Sequence, residues 1–249
     1  MSALSTRLAG PSSYWQVSRA PRYSLLFALP LLVVYQVLAS LQPGGPRGSI
    51  RNGADAILES LFIAVAGRWG PLAFMVCLIG LGAWLVGRDM RGKRLMPAVF
   101  AGMLGEATVL ALLFGVTVGR LTWEVVRPTA LIRADQIEHL SLSTRLMLSL
   151  GAGLYEELLF RVVIVAALAG LARVFFGWRP GLAGVWATVI GAILFSAAHY
   201  IGPYGDRLTL YSFVFRMIAG VFFSALYLLR GFGITAWTHA LYDAFLLVG

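Results

Sequence analysis

Residues 144–176 read TRLMLSLGAGLYEELLFRVVIVAALAGLARVFF, and this stretch decides the class of fold. A transmembrane helix needs about 20 mostly apolar residues. Because the stretch is longer, we expect a helix that tilts, or that begins or ends outside the hydrocarbon. Its centre carries Glu156, Glu157 and Arg161, and charge is costly in lipid, so these side chains must face a partner or a cavity.

Similar apolar stretches recur along the whole chain of 249 residues. Residues of the AVILMFWYC class make up 59% of it and charged residues 12%, whereas soluble domains average about 45–50% and about 25%. The stretches long enough to span a bilayer are 23–41, 69–87, 95–119, 144–176, 182–200, 207–229 and 232–248. The sequence therefore predicts an all-α fold, a polytopic transmembrane helical bundle with about seven spans.

Two further segments predict one or two interfacial helices. The stretch 54–66 is short and carries two acidic residues, which favours an interfacial or re-entrant helix over an eighth span. The segment 120–143 is polar and predicts a surface loop with a helix lying on the lipid. We divide the chain into an N-terminal cytoplasmic segment, 1–22, and a single membrane domain, 23–249.

The positive charge of the chain indicates lipid contact. The formal net charge is +9, but the Lys and Arg residues lie mostly between apolar stretches, as membrane anchors do. No aromatic and basic patch accompanies them, so we expect the lipid bilayer as a partner and no nucleic acid. The dense positive cluster at 88–94 predicts a cytoplasmic loop, which places the N-terminus inside and the C-terminus outside a cell (inner or plasma) membrane.

The spacing of the charged residues sorts them into pairs. Glu157 and Arg161 are four residues apart, and so are His239 and Asp243, so each pair shares one face of its helix. Glu157 and Arg161 can neutralise each other, which leaves the neighbouring Glu156 free.

Such a set of residues suits hydrolysis of a carbonyl compound. A carboxylate outside a salt bridge can take a proton from water. Two imidazoles, here His199 and His239, can bind a metal ion or stabilise a developing oxyanion. Two His and one carboxylate also form a known zinc arrangement, so a divalent metal such as zinc is one expectation.

Three motifs in the second half of the chain resemble a known family. Residues 156–161 fit EExxxR, residues 195–199 fit FxxxH, and residues 239–243 fit HxxxN/D. In this order, on three apolar spans, they resemble the CPBP intramembrane proteases, also called the CAAX-protease and bacteriocin-processing, or abortive-infection, family. The resemblance covers about 140–249, the protease-like core of the membrane domain.

The resemblance implies an endopeptidase that acts on a membrane-anchored protein or peptide. It implies that Glu156 activates water and that Glu157 and Arg161 form a supporting pair. The residues that would bind the metal or stabilise the oxyanion are His199, His239 and Asp243, and a metal would also contact Glu156. Many members have Asn at the last position, and an ionised Asp243 cannot donate a hydrogen bond. This departure leaves a metallopeptidase and a glutamic peptidase both open.

Other functions remain as alternatives. A small transporter is one, because intramembrane charges also mark ion pathways. A non-catalytic membrane scaffold or immunity-type member of the family is another. Glu106 has no motif around it, and we expect it to pair with Arg216 or Arg161 across helices.

Overall fold

All the regular secondary structure in the described part of the chain is helical, which confirms the predicted all-α class. The computed structural model describes residues 11–42, 50–126, 140–201 and 205–248. The helices are α1 (Pro11–Ser18), α2 (Pro21–Ser40), α3 (Gly53–Ala66), α4 (Gly70–Met90), α5 (Pro97–Val125), α6 (Leu142–Gly151), α7 (Ala166–Phe176), α8 (Pro180–Ala198), α9 (Leu210–Arg230) and α10 (Phe232–Val248). Two π-helical segments, Ala152–Glu156 and Leu158–Val165, join α6 to α7 in one long helix.

Six helical stretches of the described chain are long and apolar enough to cross a membrane. They are Pro21–Ser40, Gly53–Met90, Pro97–Val125, Leu142–Phe176, Pro180–Ala198 and Leu210–Arg230. These confirm six of the seven predicted spans and a multi-pass membrane protein. The seventh, α10, has 17 residues, which gives it a length of about 26 Å, close to the hydrocarbon thickness of about 30 Å. Its crossing stays a prediction.

The ends of several helices follow from the residues found there. α2, α5 and α8 begin with Pro21, Pro97 and Pro180, where proline loses no hydrogen bond because the first helical N–H has no partner in the helix. Gly231 lies between α9 and α10 with φ of 79°, a conformation that glycine adopts without steric cost. The chain therefore reverses over a single residue, and α10 returns along the bundle.

The predicted short helix at 54–66 is α3, and α4 folds back against it. The rings of Phe62 and Phe74 lie 5.3 Å apart, whereas residues twelve apart in one straight helix would be about 18 Å apart. Gly70 lies so close to Ile63 that a Cβ on it would sit 2.4 Å from the Ile63 backbone nitrogen. α3 has 14 residues and is about 21 Å long, so it is too short to span alone.

The predicted bounds of the surface loop at 120–143 were wrong at both ends. α5 continues to Val125, and α6 begins at Leu142. Val118 and Thr122 are fully buried on one face of α5, so packing against the bundle extends the helix past its apolar stretch. Residues 127–139 of this segment lie outside the described residues.

The distribution of side chains is that of a protein in lipid. Large apolar residues are exposed on the outer helices, among them Val76, Leu81, Leu112, Val116 and Val174. Several charged and polar side chains are almost fully buried instead, among them Asp55, Glu157, Arg161, Arg230 and His239. Because lipid solvates apolar groups and not charges, the ionisable residues meet inside the bundle.

One buried ion pair, between α5 and α9, attaches α1 to the bundle. Arg230 Nε and Nη2 donate to the two Glu106 oxygens at 2.5 and 2.7 Å, and its guanidinium lies 3.9 Å from the centre of the Trp15 ring. Tyr14 donates its hydroxyl hydrogen to Glu106 at 2.8 Å, and burial, with the nearby carboxylate, raises the pKa of Tyr14. The expected pairing of Glu106 with Arg216 or Arg161 was therefore wrong.

Candidate active site

The three motif segments meet in one cluster inside the bundle. The π-helical segments carry Glu156 and Arg161, with Glu157 between them, and His199 follows the last residue of α8. His239 and Asp243 lie in α10. Each of these six side chains lies within 4 Å of at least one other member of the set. Residues more than 80 positions apart along the chain are thus brought into contact.

A close approach of two helices makes this cluster possible. Gly153 lies against α10, and a Cβ on it would come within 2.3 Å of the Ala236 carbonyl oxygen and 2.6 Å of the Ala240 Cβ. Only glycine fits there. The same turns are π-helical, with i to i+5 hydrogen bonds, a rare conformation that is frequent at functional sites.

Glu157 is the carboxylate of the site that has a charged or polar partner at each oxygen. The Nδ1–H of His239 donates to its Oε1 at 2.8 Å, and its Oε2 lies 3.2 Å from Arg161 Nε in an ion pair that lacks hydrogen-bond geometry. The side chain is fully buried. The predicted ion pair with Arg161 is therefore present, and the structure adds His239 as a third member.

Aromatic rings surround the charges of this group. The Arg161 guanidinium lies 4.4 Å from the ring centre of Phe195 and 5.5 Å from that of Phe223. The His239 ring stacks on Phe223 with centres 4.3 Å apart and planes 18° apart. Ring faces attract cations and stack on other rings, so these contacts orient both side chains without using their hydrogen-bonding atoms.

Glu156 is held at one oxygen only. Its Oε1 accepts a hydrogen bond from Asn52 Nδ2 at 2.9 Å. Its Oε2 is buried, lies 3.7 Å from His199 Nε2 and has no hydrogen-bond partner among the described residues. The two adjacent glutamates thus differ in their surroundings, since Glu157 Oε2 is paired with the Arg161 cation and Glu156 Oε2 faces His199.

The hydrogen bonds of the imidazoles indicate their tautomers. His199 Nδ1 lies 2.8 Å from the carbonyl oxygen of Phe195, which can only accept, so Nδ1 carries the hydrogen. His239 Nδ1 likewise donates to the carboxylate of Glu157. When either ring is neutral, its Nε2 then bears a lone pair. This nitrogen faces Glu156 in His199 and Asp243 in His239.

Asp243 lies beside His239 without a hydrogen bond to it. Its Oδ2 is 3.6 Å from His239 Nε2, beyond hydrogen-bonding distance. The side chains of Asp243 and His199 are also the more open ones, at 28% and 26% exposed. These two residues therefore line the mouth of the site.

Arg216, at the side of the site, pairs with Asp206. Its guanidinium forms an ion pair with Asp206 and donates to the hydroxyl oxygens of Tyr200 and Ser212 at 3.0 and 2.5 Å. This cluster joins the segment after α8 to the first turns of α9. Arg216 thereby attaches Tyr200 and Asp206 to α9.

The donor atoms at the site are of types that bind metal ions, but they do not form a ready cage. Imidazole nitrogens and carboxylates are common zinc ligands. The described residues contain no group of three His, Cys, Asp or Glu side chains placed to hold an ion. The predicted metal ligands Glu156, His199, His239 and Asp243 therefore stay a prediction.

Asn52 is the site residue that the sequence analysis missed. It lies in the first half of the chain, 104 positions from the glutamate to which it donates, and belongs to none of the three motifs. Its signal in the sequence is a polar Arg51-Asn52 pair directly before an apolar stretch. That pattern is typical of a helix N-cap, and it gives no indication of the partner.

The fold and this site define a polytopic helical membrane protein with a buried polar centre. Residues 138–245 match the family model of the type II CAAX prenyl endopeptidase Rce1-like proteins. The match includes the three motifs and confirms their resemblance to the CPBP proteases. Comparison with curated proteins and with solved structures finds no match. At the level of the family, this match supports a membrane-embedded endopeptidase of the CAAX-protease type.

Proposed function

We propose that this chain hydrolyses a peptide bond in a membrane-anchored protein or peptide, with water activated by Glu156. The unequal use of two adjacent glutamates carries the proposal. Glu157 is occupied by His239 and Arg161, whereas Oε2 of Glu156 faces His199 Nε2 at 3.7 Å. We propose that the attacking water lies beside this pair of atoms and contacts both, each at about 2.8 Å.

The proton transfers follow from this arrangement. Glu156 takes one proton from the water, and the His199 Nε2 lone pair accepts the other O–H as a hydrogen bond. The resulting hydroxide attacks the scissile carbonyl carbon, whose π electrons move to the oxygen. When the tetrahedral intermediate collapses, the C–N bond breaks and Glu156 returns its proton to the leaving nitrogen.

The proposed oxyanion partner is His239. Carboxylates of Glu157 and Asp243 flank its two nitrogens at 2.8 and 3.6 Å, and neighbouring negative charge favours an imidazolium. In that form Nε2 of His239 carries a hydrogen, and this N–H remains available because Asp243 lies beyond hydrogen-bonding distance. A positioned donor of this kind lowers the barrier by stabilising the developing negative charge.

The substrate class is proposed from the family and from the setting of the site. The matching family is described as prenyl endopeptidases, so a prenylated C-terminal CAAX tail is the first candidate. A leader peptide and a membrane-anchored sorting tail are the other two. All three would bring an extended peptide to a site inside the helical bundle.

Cleavage assays on the purified protein in liposomes test the proposal. The probes are a farnesylated CAAX peptide, a leader peptide and a lipid-tethered sorting tail, each with a fluorophore and a quencher across the scissile region. We expect cleavage of at least one probe. Glu156→Gln keeps the shape of the side chain and removes the base, so the rate should fall by about 10²–10⁴-fold.

The matched control is Glu124→Gln, the same change on an exposed residue of α5, which should leave the rate unaltered. Full activity in Glu156→Gln would refute the role of Glu156. Absence of cleavage together with solute flux into the liposomes would favour the transporter. A partner-dependent phenotype that survives Glu156→Gln would favour the scaffold.

A metal-dependent version of the reaction needs its own measurement. We propose that a divalent ion such as zinc, if the enzyme uses one, would be held by His199, His239 and a carboxylate and would polarise the attacking water. Treatment with 1,10-phenanthroline, followed by added zinc, separates the two versions. Loss and recovery of cleavage would assign the metal, and unchanged cleavage would assign a glutamic peptidase.

A further inference from the structure

The amide of Asn52 is bound at both of its ends. Its Oδ1 accepts from the backbone N–H of Ala54 at 2.9 Å and so caps the N-terminus of α3. Because that oxygen is committed to a donor, the other end must be the NH2 group. This group donates to Glu156 Oε1 at 2.9 Å. The orientation of the amide is therefore fixed by its surroundings.

A chain of buried contacts holds Asn52 in place. Its backbone N–H donates to the Tyr35 hydroxyl oxygen at 3.3 Å, and that hydroxyl donates to Asp55 Oδ2 at 2.7 Å. Arg51 Nε pairs with the same carboxylate at 2.9 Å. Asp55 and Tyr35 are fully buried. These residues connect α2 with the start of α3, and all of them precede the segment that matches the family.

We infer that Asn52 is a positioning residue of the proposed site, which holds Glu156 Oε1 so that only Oε2 faces His199. This inference rests on the proposed function. A free glutamate side chain rotates its two equivalent oxygens, and it loses that freedom when one oxygen is bound. A donor fixed by α3 and Tyr35 supplies the bond without rearranging. The first half of the chain thus takes part in the chemistry and does more than enclose the motifs.

Two substitutions separate this role from helix capping. Asn52→Ser keeps an N-cap side chain but loses the donor to Glu156, and Asn52→Ala loses both. With the peptide that the wild type cleaves, we expect kcat to fall about ten- to hundredfold in both variants, as for loss of a hydrogen bond to a charged group. KM should stay within about twofold. Only the alanine variant loses the cap, so it should unfold at a lower temperature than the serine variant.

Removal of the N-cap side chain of another helix, α6, supplies the control. Ser141 caps α6 through the Thr144 N–H, and it does not contact Glu156. Ser141→Ala should lower the unfolding temperature and leave kcat unchanged. If Asn52→Ser keeps the kcat of the wild type while Glu156→Gln is inactive, the inference is refuted and the proposed function stands. If kcat follows the unfolding temperature across all three variants, Asn52 acts on stability alone and the inference is likewise refuted.

A second measurement keeps the inference testable if no probe is cleaved, the result that would refute the proposed function. In a double-mutant cycle of thermal unfolding, Asn52→Ser should lower the unfolding temperature in the wild type and have no further effect in Glu156→Ala. Additive effects would show that the two side chains do not interact, and would refute the inference without reference to activity.

Discussion

Replacing Gly153 by alanine should separate the two halves of the site. The new Cβ would lie 2.3 Å from the Ala236 carbonyl oxygen and 2.6 Å from the Ala240 Cβ. Ordinary contacts of these kinds are about 3.3–3.6 Å and about 3.5–4.0 Å, so α10 must move by roughly 1 Å. A backbone oxygen within a helix cannot rotate away as a side chain would.

The displacement acts directly on His239, which lies between those two alanines on α10. Its hydrogen bond to Glu157, now 2.8 Å, would lengthen to about 3.8 Å and be lost. A misplacement of about 1 Å can reduce a rate about 10²-fold, and the overpacking itself costs about 1–3 kcal/mol. We therefore expect Gly153→Ala to lower both the cleavage rate and the unfolding temperature.

The matched control is Gly170→Ala in α7 of the same long helix. No atom lies within 4 Å of the Cβ position there, so the change should stabilise the helix by about 0.5–1 kcal/mol and leave the rate unaltered. Initial rates in liposomes and thermal unfolding in detergent measure both effects. Wild-type rate and stability in Gly153→Ala would show that α10 does not pack against the π-helical turns as described.

Two further predictions concern the buried charges. Arg161→Met leaves the carboxylate of Glu157 buried with a single partner, so the free energy of unfolding should fall by about 3–5 kcal/mol; an unchanged denaturation midpoint would contradict the ion pair. Arg230→Ala removes the cation that joins Glu106 to α1, so amide hydrogen exchange across residues 11–18 should become faster while exchange in α10 stays slow; equal protection of α1 in the variant would contradict the attachment.

Contacts within a helix turn could be predicted from the sequence, because they depend only on spacing. Glu157 and Arg161 are four residues apart and do form an ion pair, at 3.2 Å. His239 and Asp243 have the same spacing and lie 3.6 Å apart, in reach of each other but without a hydrogen bond. The all-helical class could also be predicted, because the lengths of the apolar stretches, as helices, match the thickness of a bilayer.

Contacts between helices could not be predicted in the same way. Glu106 was expected to pair with Arg216 or Arg161, yet its partner is Arg230, because the packing of α5 against α9 and α1 decides which cation it meets. Asn52 was missed for the same reason. The sequence alone does not identify the buried partner of a polar residue, because any of several polar side chains elsewhere in the bundle would satisfy it equally well.

The π-helical turns at 152–165 were also not predicted. The sequence analysis assumed ordinary α-helical spacing there, and their residues have no composition that distinguishes them from such a helix. The tight packing of Gly153 on α10 and the partners of two successive glutamates are properties of the assembled bundle. The roles of the six motif residues in catalysis stay predictions, although the structure places them together.

The attachment of α1 has a practical consequence for protein engineering. An expression tag that replaces the first eighteen residues would remove Tyr14, Trp15 and Ser18, which together cover the Arg230 guanidinium. The exposed arginine and Glu106 would then meet detergent or lipid directly. Affinity tags should therefore leave α1 in place, and purification trials of shortened versions should retain it.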